Sequence, residues 1–187
     1  GLLLILSSHF SVADTLTKLF APASKSPISL VRIATHFDDL DEVQPIAKSL
    51  AALGYKVGIN LMQSVGKSEE QLANASKTVG SWDEVDLLYF ADSLGSMESD
   101  EVKRIVTIIK SNWDKALGVH AHNNKGWAVS NTLAAIENGV TWVDSTVLGM
   151  GRGAGNAATE ILLLELNQKF KTNYHPEALF GLVLKDF

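Results

Sequence analysis

The sequence predicts an α/β protein built from repeated strand–helix units, and three observations carry that reading. Short apolar runs rich in β-branched residues centre near Leu4, Val31, Val57, Leu88, Val119 and Val143. They stand about 24–31 residues apart, the separation needed by parallel strands joined through crossover helices. Between them apolar residues recur with the 3.6-residue period of a helix packed on one face.

The helical segments follow in order. Val12, Leu16, Leu19 and Phe20 form one stripe, with Ser11 as the expected N-cap. Val43, Ile46, Ala47 and Leu50 form the next, with Gly54 expected at the C′ position that closes it. Ser68 and Gln71 have the spacing of a capping box and open a third helix. Val102, Ile105, Val106 and Ile109 make a fourth stripe, and Asp100 with Glu101 suits its positive N-terminal end. Val129, Leu133 and Ile136 belong to a fifth helix that should stop at Gly139. The last segment, Ala157 to Phe170, is apolar on most sides and is expected to be deeply packed.

Of the 187 residues 46% are hydrophobic, enough for one well-buried core, and no linker or charge block divides the chain. Residues 1–187 therefore read as one domain, with 171–187 as a C-terminal extension. A net charge of −5 without any basic run argues against nucleic acid and anionic membrane as partners. The absence of cysteine excludes disulfides and thiolate ligation and fits a cytoplasmic location. The longest aliphatic run, Leu2–Leu6, is far shorter than the ~20 residues of a membrane span and lacks a signal peptide's basic flank. The chain opens on Gly inside that run, as if a strand were cut at its own start. Six strand–helix units fit either an open doubly wound sheet or a (β/α)8 barrel lacking two units.

Chemistry concentrates where the apolar runs stop. Gly118-Val119-His120-Ala121-His122-Asn123-Asn124 ends a strand in two histidines spaced i, i+2. On a strand this spacing puts both imidazoles on one face, about 6.5–7 Å apart at Cα, so that both reach one ion. On a helix they would diverge. Other strand ends carry Asn60, Asp92 with Ser93, and Asp144. Asp92 reads equally well as a cap of the turn that follows it. Arg32, among apolar neighbours, suggests an ion pair with Asp92 or Asp144 as readily as a substrate contact. Gly149-Met150-Gly151-Arg152-Gly153-Ala154-Gly155-Asn156 precedes the last helix but matches neither the dinucleotide nor the P-loop pattern. Asn156 suits an N-cap and a metal or substrate contact about equally. His36 belongs to no motif, and His9 and His175 read as surface or loop residues.

Together, Leu30-Val31-Arg32-Ile33-Ala34-Thr35-His36, Ala91-Asp92-Ser93-Leu94-Gly95, the His120/His122 segment, and Val143-Asp144-Ser145-Thr146-Val147 with its glycine loop resemble the DRE-TIM metallolyase superfamily. They are most similar to its 4-hydroxy-2-oxovalerate aldolase branch. The resemblance implies a (β/α)8 TIM barrel of which this chain supplies strands 3 to 8. It also implies a divalent metal ion, Mn²⁺ before Mg²⁺, Zn²⁺ or Co²⁺, held by His120 and His122 and more weakly by Asn156. Ser93 would meet the substrate carboxylate, with Asp92 and Asn60 beside it. The implied reaction is class II aldol cleavage of a 4-hydroxy-2-oxo acid to pyruvate and an aldehyde. The expected partners are that small substrate, a second copy of the chain and a dehydrogenase. An acetyl-CoA-dependent Claisen-type acyltransferase and a non-catalytic barrel subunit are the alternatives. The superfamily's first strand carries a metal-binding Asp and an enolate-steadying Arg; neither has a counterpart here, which points to a piece of a longer protein.

Overall fold

A computed structural model of the chain describes residues 12–186. The strand expected around Leu4, the Ser11 cap and His9 lie outside the described residues. In order, the chain forms α1 (Val12–Leu19), β1 (Leu30–Thr35), α2 (Leu40–Ala52), β2 (Lys56–Leu61), α3 (Glu69–Gly80) and β3 (Leu87–Asp92). It continues with α4 (Ser99–Lys110), β4 (Ala116–Ala121), α5 (Ala128–Glu137), β5 (Trp142–Val143), α6 (Thr159–Phe170) and α7 (Glu177–Asp186). No described helix is long and apolar enough to cross a membrane.

All five strands are parallel and lie in the order β1-β2-β3-β4-β5. A doubly wound sheet reverses its strand order at a switch point; this one never does. Successive helices touch one another, α1 on α2, α3 on α4, α4 on α5 and α5 on α6, as a single outer layer would. Curvature is visible in one contact. In a flat sheet β1 and β5 would be about 19 Å apart, at roughly 4.8 Å per strand step. Yet Arg32 of β1 meets Asp144, just past β5, at 2.6 Å. An arginine side chain cannot bridge a flat sheet of that width, so the strands curl toward each other as a barrel wall. The fold is part of a (β/α)8 barrel, five of whose strands lie among the described residues.

Strand alternation sorts the residues into two faces. Val31, Ile33, Val57, Ile59, Leu61, Leu88, Phe90, Leu117 and Val119 join one buried cluster with Leu50, Leu72, Val102, Ile105 and Ile109 of the helices. Each such side chain contributes about 1.5–3 kcal/mol when fully removed from water. The other face carries Arg32, Asn60, Tyr89 and His120, as the register Arg32↔Gly58, Asn60↔Tyr89, Tyr89↔Gly118 and Ala91↔His120 requires.

Local signals set the helix ends. Ser68 Oγ accepts the Gln71 N–H at 3.1 Å while Gln71 Oε1 accepts the Ser68 N–H at 3.0 Å, the expected capping box. Gly54 and Gly139 both adopt positive φ, +88° and +90°, immediately after α2 and α5. Other expectations need correction. Leu19, assigned to the α1 stripe, is 59% exposed, whereas Leu16 and Phe20 are buried. Helix α6, over the segment expected to be deeply packed, is not: Glu160 and Leu162 are its buried residues, while Ile161 and Leu164 are exposed. Its main contacts are α5, α7 and the short 3-10 turn Val147–Gly149, with little sheet beneath it. Asn156 does not cap it; α6 starts after Ala158, and no side chain caps that end. The strand expected around Val143 pairs only at Trp142 and Val143, then leaves the ladder.

Candidate active site

The pleat of β4 brings His120 and His122 to the same side, with ring centroids 5.0 Å apart and planes at 87°. Both border a cavity of about 460 Å³ at the C-terminal ends of the strands, with Asn60, Ser93, His36 and Arg152 on its other walls. His120 Nδ1 lies 2.8 Å from Asp144 Oδ2. With that N–H donated to the carboxylate, Nε2 is the nitrogen left for a ligand, the usual arrangement of a metal-binding histidine.

Asp144 also accepts both arms of Arg32, at 2.9 and 2.6 Å. Of the two acids within reach of Arg32 by sequence, the fold selects Asp144. The guanidinium in turn stacks over Tyr89, 4.2 Å from the ring centroid. Gly118, inside the histidine motif, makes room for that ring; a Cβ there would run into Tyr89. Burial alone would raise the Asp144 carboxyl, but hydrogen bonds from His120 and Arg32, with the guanidinium charge, outweigh it and hold the group far below the usual range. Burial pushes the Tyr89 phenol up, helped by the Asp144 charge. His122 is pushed down, first by burial and then by His120 and the Arg152 charge, which favours its neutral, ligating form.

Ser93 Oγ accepts the Gln63 N–H at 2.9 Å, leaving its own O–H to donate into the cavity. Gln63 holds a left-handed φ of +54° to make that contact. Asn60 is buried and its Oδ1 has no hydrogen-bond partner. Asp92 is 1% exposed and is spent on the turn: its oxygens accept the N–H groups of Ser96 and Met97 at 3.0 and 2.9 Å. It shapes the loop behind Ser93, the turn-capping reading its position equally allowed, and is not among the residues lining the cavity.

Among the described residues no group of three His, Asp or Glu side chains is gathered for a metal. Asn156 lies next to the pair through its backbone pairing with His122; its Nδ2 donates to the Met150 carbonyl, and its Oδ1 is buried without a partner. Two imidazoles, one braced by a carboxylate, and an orphaned amide oxygen are donors of the kinds that suit a divalent ion. Gly155, at φ +84°, lets the loop carrying Asn156 fold tightly; a Cβ there would strike the Gly149 carbonyl.

Two ionisable residues of the cavity wall escaped the sequence reading. His36 directly follows β1, so the strand-end rule that selected the others also covers it. Arg152 was hidden among the loop glycines, whose conformation no local signal specifies.

The HMGL-like family model matches residues 15–180. The chain is 40% identical over 144 residues to a 4-hydroxy-2-oxovalerate aldolase of Carboxydothermus hydrogenoformans, covering 77% of this chain and 43% of that protein. A protein of the same name from Pelotomaculum thermopropionicum is 37% identical over 146 residues, covering 78% and 43%. In fold, the chain is similar to HMG-CoA lyase of Bacillus subtilis, with a TM-score of 0.75 at 19% identity over 85% of this chain and 62% of that one. Pyruvate carboxylase of Rhizobium etli gives 0.79 at 14% identity, covering 91% and 18%. The chain belongs to the HMGL-like family of DRE-TIM barrel proteins. It spans 43% of the length of these curated relatives.

Proposed function

We propose that the protein is a metal-dependent aldolase that cleaves a 4-hydroxy-2-oxo acid to pyruvate and an aldehyde, or runs the reverse condensation. The observation that carries this reading is the His120/His122 pair, braced by Asp144, at the mouth of the cavity. Curated relatives named for this reaction support it. Cleaving a bond β to a ketone leaves negative charge on the ketone carbon framework and oxygen. His120, His122 and Asn156 would hold a divalent ion, and its chemistry would be Lewis-acid stabilisation of that charge. The described residues position what meets that ion. Asp144 fixes the His120 ring and its tautomer, Arg32 fixes Asp144, and Ser93 donates its hydroxyl to the substrate carboxylate. Mn²⁺, with Mg²⁺, Zn²⁺ or Co²⁺ as substitutes, suits mixed nitrogen and oxygen donors.

In the full-length protein, pyruvate release from a 4-hydroxy-2-oxo acid, read by coupled lactate dehydrogenase, should vanish with a chelator. His120→Ala/His122→Ala should lose the bound ion by elemental analysis. Activity that survives chelation, or that appears only with acetyl-CoA, would move the chain to another mechanism within the family.

A further inference from the structure

Arg152 stands apart from the other charged groups of the site. It lines the cavity with His120 and His122, close enough to His122 to act on its charge. Among the described residues no carboxylate lies within ion-pair distance of it. The nearby acids are committed elsewhere: Asp144 to Arg32 and His120, and Asp92 to the Ser96 and Met97 N–H groups. Gly151 and Gly153 flank it, and Arg152 itself is exposed. A guanidinium presents a planar fork of donors that matches carboxylate and phosphate oxygens.

The position of this charge is informative. β4 has two neighbours in the sheet, β3 on one side and β5 on the other. Ser93 follows β3, and the loop holding Arg152 follows β5, so the two flank the histidine pair from opposite sides. Under the aldolase reading, on which this inference rests, the pyruvyl carboxylate belongs to Ser93. The portion of the substrate beyond the cleaved bond then extends across the histidines toward Arg152.

We infer that Arg152 is a specificity-determining residue that binds a second anionic group at the aldehyde end of the substrate, a carboxylate or a phosphate. The preferred aldehyde is therefore itself an anion, and the complete substrate carries at least two negative charges. His36 also lines the cavity.

The test uses the full-length metal-loaded protein and its Arg152→Gln and Arg152→Lys variants. Pyruvate condensation is followed with a neutral short aldehyde, an aldehyde bearing a terminal carboxylate and a phosphorylated aldehyde. The wild type should favour one of the anionic aldehydes in kcat/KM. Arg152→Gln should lower that preference about tenfold or more, the range of a lost charge-assisted hydrogen bond, and Arg152→Lys should restore part of it. Which anionic arm responds more strongly tells carboxylate from phosphate. An unchanged preference, or an equal loss on neutral and anionic aldehydes, overturns the inference; the equal loss would place Arg152 on the pyruvyl carboxylate. Calorimetric titration of wild type and Arg152→Gln with the same anionic aldehydes separates this result from failure of the aldolase reading. Binding that weakens in the variant without any turnover keeps the anion site and removes the reaction, whereas binding that is equal in both removes the anion site.

Discussion

The two faces of the sheet are made from the same strands and do opposite jobs. Along β3, Leu88 and Phe90 point to the helices and join the apolar cluster, while Tyr89 between them points inward beneath Arg32. Along β4, Leu117 and Val119 pack outward, and His120 turns inward to Asp144. The outer face is held by burial, which is non-directional and tolerates shifts of a few tenths of an ångström. The inner face is held by the chain of Tyr89, Arg32, Asp144 and His120, whose members must keep distance and angle. Stability should therefore reside mainly on one face and chemistry on the other, one residue apart in sequence.

That division can be broken by substitution. The largest effect is expected from Phe90→Ala on the outer face, where the ring is fully buried. Its loss leaves a cavity and should cost about 3–5 kcal/mol in urea or thermal unfolding. Under the proposed metal-dependent function, bound metal per folded molecule should stay as in the wild type. A variant that melts earlier and also loses its metal would show that the faces are not independent.

Asp144→Asn tests the inner face. It keeps the shape but removes the charge that steadies Arg32 and orients His120. Metal affinity should fall about 10–100-fold, as when a histidine ligand loses its supporting carboxylate. Metal titration monitored by calorimetry reads this directly, and an unchanged affinity would mean that the His120–Asp144 contact has no part in ligation.

The smallest effect should come from a pair belonging to neither face. Glu101 is held below its ordinary value of 4.5 by the hydrogen bond from Arg104, helped by the Gly66 N–H, while burial works the other way. Because the folded value is depressed, the contribution is present above pH 4.5 and is lost as the pH falls through the folded value. Glu101→Gln should cost no more than about 1 kcal/mol at pH 7, as expected of a partly exposed pair. The gap between wild type and variant should narrow by pH 4 when urea midpoints are compared. A gap that stays constant across that range would assign the effect to packing.

Sequence alone determined whatever depends on a few neighbouring residues. The capping box of Ser68 and Gln71, the left-handed glycines at positions 54 and 139, and the shared face of His120 and His122 all follow from short-range geometry. Tertiary structure decided whatever needed the sheet to curl. Only closure of the wall brings Arg32 to Asp144, 112 residues away, instead of to Asp92, whose oxygens are already taken by its own turn. The same holds for Asn156, which sits beside His122 and not at a helix cap, and for Arg152, which reaches the cavity through a loop of glycines. Glycine permits many backbone paths, so the path taken is chosen by what the loop packs against. Helix α6 makes the same point in reverse: its composition promised deep burial, but exposure depends on what lies beside a helix, and that is set by the rest of the fold.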